Sequence, residues 1–315
     1  MASKDEVSTA SASPRAKLYP EKHFMMLGMR YGRFPRWKSY KPARCIQRFK
    51  EQFGCHPKTV ADLWEKLRNH DDEAIRLPKK AKPKELLIGI RHLFKYHTEP
   101  DLAMFFNIKT GKTARKWARR YMKKIALLLP EMVGTLADND EGLIFFMSLD
   151  GTHCPIEEPR PWSKKWSSHK FGGKPGVNYE FGLLLHKAKL GWIHGPTPPG
   201  EKNDLVVFRS KLMHEMPADR RLIADSGYTA EPDYFTTKNE LDPKKLSKFK
   251  DRVLSRHENF NQRVKCFAIT RTKFRHRGFG ENWEEAHETA MHAVCVIVQL
   301  HLDNGTQRLL DPYSV

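Results

Sequence analysis

Apolar positions recur every three or four residues in segments from Ala43 to about Leu129, then give way from Leu143 onward to apolar runs and alternation. The change separates a helical first part from a strand-rich second part. Cys45, Ile46, Phe49 and Phe53 mark a helix over 43–53, a second is expected over 60–69, and Leu86, Leu87, Ile90, Leu93 and Phe94 mark a third over 84–94. A short helix over 101–106 then leads through Asn107-Ile108-Lys109-Thr110-Gly111 into a longer helix from Lys112 to about Leu129. Thr113, Trp117, Tyr121 and Ile125, four residues apart, give that helix an inner face.

The second part opens with Leu143-Ile144-Phe145-Phe146-Met147-Ser148-Leu149-Asp150, an apolar run closed by Gly151. It reads as a strand buried on both faces and ending at a carboxylate. Strands over 177–185 and 189–194 follow, then a helix over 203–214 capped by Asn203 and a short strand over 221–224 that runs into Asp225. A helix over 252–269 and a final amphipathic helix over 283–302 complete the pattern. Between these, 155–175 is a polar loop or hairpin insertion and 239–251 a lysine-rich connector. The expected fold class is mixed α/β: a mixed sheet flanked by helices, preceded by an all-α region. The expected divisions are a disordered tail at 1–20, a helical region at 21–142, the sheet domain at 143–302 and a C-terminal tail at 303–315.

Charge changes this picture. The chain carries 56 Lys and Arg against 37 Asp and Glu, a net +19. Residues 1–142 hold 30 basic and 16 acidic side chains, hence +14, and residues 143–315 hold 26 and 21, hence +5. A polyanionic partner is implied, with the basic surface mostly N-terminal. The helix from Lys112 carries Lys112, Arg115, Lys116, Arg119, Arg120, Lys123 and Lys124 with no acid among them. Helix, short helix, turn and basic helix is the layout of a helix-turn-helix over about 84–129, with double-stranded DNA as the expected partner. The mixture of Arg30, Tyr31, Arg33, Phe34, Arg36, Trp37 and Lys38 suits either a nucleic-acid grip or a loop packed by its aromatics. No apolar run is long enough for a membrane span. Pro78 to Lys84 resembles a nuclear-import signal or a solvated linker; the nucleus is expected if the source is eukaryotic and the cytoplasm otherwise. Five scattered cysteines form no CxxC pair and fit a reducing compartment, with a zinc site at His153 and Cys154 left as an alternative.

The chemistry rests on Asp150, Asp225 and Glu258. Two of these are expected at the ends of neighbouring strands. The third lies in Arg256-His257-Glu258-Asn259-Phe260-Asn261-Gln262-Arg263-Val264-Lys265, where Glu258, Asn261 (or Gln262) and Lys265 share a helical face. Converging carboxylates repel unless cations neutralise them, and two Mg²⁺ ions about 4 Å apart would do so while serving phosphodiester cleavage. Mn²⁺ is able to substitute. Asp251 and Glu281 are acidic competitors outside that block.

Four blocks stand in order: Asp150-Gly151-Thr152, then Pro199-Gly200 with Asn203-Asp204, then Ala224-Asp225-Ser226-Gly227-Tyr228, then Arg256 through Lys265. In this order they resemble DDE-superfamily transposases, in particular the Harbinger-type and related insertion-sequence group. The resemblance covers about Leu143 to Leu302. It implies an RNase H-like catalytic domain, two-metal cleavage and joining of DNA, and Asp150, Asp225 and Glu258 as metal ligands. It further suggests Asp204, Asn261 and Lys265 as supporting or phosphate-steering residues, a homo-oligomer when active, and in some systems a separate DNA-binding partner protein. An alternative is a transposase-derived DNA-binding protein that no longer cuts, or cuts only with a partner. A basic α+β domain whose acids are only surface ion-pair partners remains as the bland reading.

Overall fold

Prolines and capping side chains set where the N-terminal helices begin. The computed structural model describes residues 19–134, 144–217, 219–275 and 283–305. Most of the expected tail at 1–20, the expected strand start at Leu143, Glu281 and the terminal residues 306–315 lie outside the described residues. The helices are α1 (Glu21–Tyr31), α2 (Pro42–Phe53), α3 (Pro57–Arg68), α4 (Pro83–Lys95), α5 (Glu99–Phe105), α6 (Gly111–Ala126) and α7 (Leu129–Met132). Pro42, Pro57 and Pro83 open theirs, where a missing N–H costs nothing. Thr110 caps α6, its hydroxyl accepting from the Thr113 N–H at 3.2 Å.

Two expectations for this region are corrected. The basic helix stops at Ala126 and a separate turn, α7, follows. Its buried face is Ala114, Ala118, Tyr121, Met122 and Ile125, while Thr113 and Trp117 are only half-buried. The reason is close approach by α4: a Cβ added to Gly89 would lie 2.8 Å from that of Tyr121, so small residues mark the seam. The aromatic and basic stretch from Arg30 to Lys38 begins at the end of α1, whose Phe24 and Met29 are buried, and its Arg30, Arg33, Arg36 and Lys38 are exposed.

The sheet is mixed. Among the described residues it has five strands: β1 (Phe145–Pro155), β2 (Gly176–Leu184), β3 (Lys189–Thr197), β4 (Arg221–Ile223) and β5 (Phe235–Thr236), in the order β3-β2-β1-β4-β5. β1, β2 and β3 are successively antiparallel, and β4 and β5 run parallel to β1. β1 does not end at Asp150 as expected. It continues to Pro155, because a carboxyl side chain leaves the ladder intact and Asp150 pairs with Phe181 like its neighbours. β5, two residues long, was not expected at all.

Five helical segments cover the sheet: α8 (Asp204–Ser210), α9 (Leu212–Glu215), α10 (Lys244–Lys265), α11 (Ala268–Arg271) and α12 (Trp283–Asp303). Asn203 caps α8 as expected, accepting from the Val206 N–H at 2.9 Å, but the helix breaks at Lys211. The expected connector at 239–251 is half helix, and α10 starts at Lys244 rather than 252. Lys250 is buried there, donating to Thr237 O at 2.7 Å and to Asp242 Oδ2 at 2.8 Å. The final helix is not amphipathic: every residue from Ala293 to Leu302 is buried. It runs through the middle of the molecule, touching α3, α6, α7 and β3. One cluster of buried side chains therefore extends from Phe24 through α6 and α12 to β1, β2 and β3. A second, including Leu149, Phe208, Leu222 and Phe235, lies where α8 and α9 pack on the sheet.

Candidate functional site

Parallel pairing of β1 with β4 sets the first two acids abreast. Ser148 pairs with Ile223, the last residue of β4, and Asp225 follows Ile223 by two residues as Asp150 follows Ser148 on β1. Asp225 lies just past β4 and caps the turn that follows, its Oδ1 accepting from the Gly227 N–H at 2.9 Å. α10 supplies the facing wall. Asp150, Asp225 and Glu258 together line one open cleft of about 420 Å³, completed by Leu254, Ser255, His257, Asn259 and Gln262. The Glu258 expected from its block is therefore in the same cleft as the two aspartates. Asp251 is not; it pairs with Lys238 at 2.7 Å on the surface.

The helical face expected to carry Asn261 or Gln262 resolves into two contacts. Asn261 is buried and its amide donates to Asp150 Oδ2 at 2.7 Å, while the Gln262 amide donates to Glu258 Oε1 at 3.2 Å. Beneath Asp150, Ser148 Oγ and His257 Nδ1 are 2.8 Å apart and tie β1 to α10. Burial pushes the Asp150 carboxyl up to about 7, and the Asp225, Asp204 and Glu258 carboxylates add to that rise against the lowering effect of the Gly151 N–H. Among the described residues no ion pair engages Asp150, Asp204, Asp225 or Glu258. A mostly buried carboxylate beside like charges, with no basic neighbour in contact, is a costly arrangement in the free protein. Oxygen donors without a basic partner suit a hard divalent cation by type. By placement, among the described residues no three His, Cys, Asp or Glu side chains stand close enough to hold an ion together.

Asp204 approaches from the other side of β1. Its Oδ1 accepts from the Asn178 amide at 2.8 Å, and a Cβ at Gly151 would fall 2.5 Å from the same oxygen. Only glycine at 151 admits that carboxylate. Glu180, opposite Gly151 on β2, is buried; its carboxylate accepts from Trp192 Nε1 at 2.9 Å. Burial pushes its carboxyl up to about 8, the Trp192 hydrogen bond opposes this, and Asp204 adds to the rise. Asn178 and Glu180 were not picked out from the sequence. The available signal was their alternation with Val177, Tyr179 and Phe181, which turns two polar side chains to one face of β2.

Lys265 does not line the cleft. It is half-buried two turns beyond Glu258, where its charge acts on His153 and Cys154. His153 and Cys154 occupy opposite faces of β1; the imidazole meets Ser168 Oγ at 2.7 Å and burial pushes the Cys154 thiol up to about 12. That geometry gives the zinc alternative no shared ligand side. Within 155–175, Trp166 is buried against Trp283, Trp162 is exposed and Lys170 is exposed.

The basic residues of α6 divide in two. Lys112, Lys116, Arg120 and Lys123 are exposed and recur at intervals of four, four and three, which aligns them in one outward stripe. Arg115 is ion-paired with Glu99 at 3.0 Å, and Arg119 is half-buried beside it in a recess of about 290 Å³ that also holds Arg275. Lys124 donates to the carbonyls of Ala74 and Arg76 at 2.7 and 2.8 Å. Among the described residues no helix is long and apolar enough to cross a membrane. Compared with protein families, with curated proteins and with solved structures, the chain matches none.

Proposed function

We propose that the chain is a Mg²⁺-dependent, DNA-cutting and DNA-joining enzyme of the DDE transposase type, with an RNase H-like sheet domain. The observation that carries this reading is the single cleft shared by Asp150, Asp225 and Glu258, residues distant in sequence. The strand order β3-β2-β1-β4-β5, antiparallel then parallel, supports the RNase H-like part. The stripe Lys112, Lys116, Arg120 and Lys123 supports duplex DNA as partner, with α5, the turn at Asn107 and α6 as the helix-turn-helix. Bound divalent ions would supply charge neutralisation and an activated water. The chain's own residues contribute the carboxylate oxygens and hold them: Asn261 orients Asp150, Gln262 orients Glu258, and the Gly227 N–H orients Asp225.

The test is Mg²⁺-dependent nicking of DNA carrying the element's ends, taken from the sequence that flanks the gene. Asp225→Asn is expected to lose several kcal/mol of barrier lowering, roughly a thousandfold in rate. Unchanged cutting removes Asp225 from the mechanism. A second reading, a DNA-binding protein that does not cut alone, draws on the carboxylates' spacing, since no three of them stand ready to hold one ion among the described residues. Duplex binding without any cutting by the lone chain favours that reading, and cutting regained on adding a second protein gives the partner form of it.

A further inference from the structure

Away from the acidic cleft and from the α6 stripe, a groove of about 530 Å³ opens between the end of α1 and the turn that feeds α6. It is lined by Arg30, Tyr31, Arg33, Lys84, Phe105, Phe106 and Asn107. Three of these are cationic and none is acidic. Arg30 and Arg33 are exposed, and Lys84 is half-buried with its ammonium 5.4 Å from the centre of the Tyr31 ring. Burial, and after it the charges of Lys82 and Arg30, hold Lys84 below the ordinary lysine range. The cations thus crowd one another in the free protein, where separate solvated positions would relieve them. Arg33 sits at φ 53°, a left-handed position just past α1 where glycine is the usual residue, so the chain keeps a charged side chain there against backbone preference. The floor is firm: Phe106 is buried and packs on Tyr31 at 5.0 Å. An adjoining recess, sharing Tyr31, Arg33 and Phe105, adds His97 and Asp101.

We infer that this groove is a second DNA contact, taking a backbone phosphate of the same duplex whose neighbouring stretch lies along α6. Like-charged side chains without an acid between them are the complement of a phosphodiester, and the Tyr31 face gives the adjacent sugar a surface to rest on. Asn107, in the turn that leads into α6, is part of the groove's lining, five residues ahead of Lys112, the first residue of the basic stripe. This rests on the DNA-binding part of the proposed function and extends it to Arg30, Tyr31 and Arg33, which lie outside the helix-turn-helix layout.

The experiment measures duplex DNA affinity of the full chain against salt, for wild type and for the combined variant Arg30→Gln, Arg33→Gly, Lys84→Gln. Glycine at 33 removes the charge without straining the backbone. Each lost phosphate contact lowers the slope of log affinity against log salt by about 0.9, so for the one phosphate held here a fall of about 0.9 is expected across all duplex sequences. Melting temperature, measured in parallel, is expected to be unchanged or raised. An unchanged slope in a folded variant overturns the groove while leaving DNA binding through α6 intact. A fall seen with duplex RNA and not with duplex DNA overturns it too. Failure of the wild-type chain to bind duplex DNA overturns both the groove and the reading beneath it.

Discussion

The basic helical part and the acidic cleft handle charge in opposite ways. In the helical part, cations are either engaged by the fold or turned outward. Arg115 meets Glu99, Arg91 donates to Gln52 at 2.7 Å, and Lys124 holds two carbonyls, whereas Lys112, Lys116, Arg120 and Lys123 face water. Exposed like charges cost little, because the high dielectric of water holds the repulsion of neighbours about 6 Å apart below about 1 kcal/mol. In the cleft, Asp150 on β1, Asp225 just past β4 and Glu258 on α10 share one lining, and none is ion-paired among the described residues. Water screens a mostly buried group far less, and Asp150 is pushed up to about 7 accordingly. The difference separates a surface that tolerates its charge from a site that lacks a counter-charge.

The largest effect that sharpens this contrast is expected at Glu180. Its carboxyl is pushed up to about 8 from an ordinary value of 4.5. Between those two values the unfolded chain is ionised there and the folded chain is not, so the folded state binds the extra proton. Stability from this group is complete below about pH 4.5, falls as pH rises through the window and is lowest above about 8. Glu180→Gln is expected to flatten that decline and to be the more stable form at pH 8, measured by denaturant unfolding at pH 5 and 8. The same pH slope in variant and wild type breaks the view that this side of the sheet carries uncompensated acid.

Next in size is Asn261→Ala. With the amide gone, Asp150 loses its 2.7 Å donor, and cutting is expected to fall about 10- to 100-fold with a higher Mg²⁺ requirement. Cutting at the wild-type rate and metal dependence removes Asn261 from the site. The smallest effects lie on α6 and compare adjacent residues. Lys116→Gln is expected to lower the salt slope of DNA binding by about 0.9, while Arg115→Gln leaves it unchanged. Arg115→Gln instead removes a surface ion pair worth about 0.2–1 kcal/mol of stability. Equal slopes for the two variants remove the distinction between engaged and outward-facing cations.

Much of the fold was legible where burial follows a simple period. The helices α2 to α6 and the hairpin of β2 and β3 came from apolar spacing, and Asn203 marked α8. What escaped had physical reasons. α1 buries Gly28 among its apolar residues, which thins the pattern, and α10 begins with lysines of which Lys250 is buried through Asp242. β5 has too few residues to alternate. α12 is buried on nearly every side, so a one-faced stripe was the wrong expectation. At the site, the three acids were legible as residues in ordered blocks. Their surroundings were not, because Asn178, Glu180 and the space left by Gly151 matter only once β1 and β2 pair.

Thermal melting at pH 8 against added Mg²⁺, for wild type and Asp150→Asn, tests most directly whether the cleft awaits a counter-ion. Ligand binding to the folded state is expected to raise the wild-type melting temperature as Mg²⁺ increases, with a smaller rise or none in the variant. A wild-type melting temperature that Mg²⁺ does not move, or an equal rise in both proteins, would contradict a cation site built from these carboxylates.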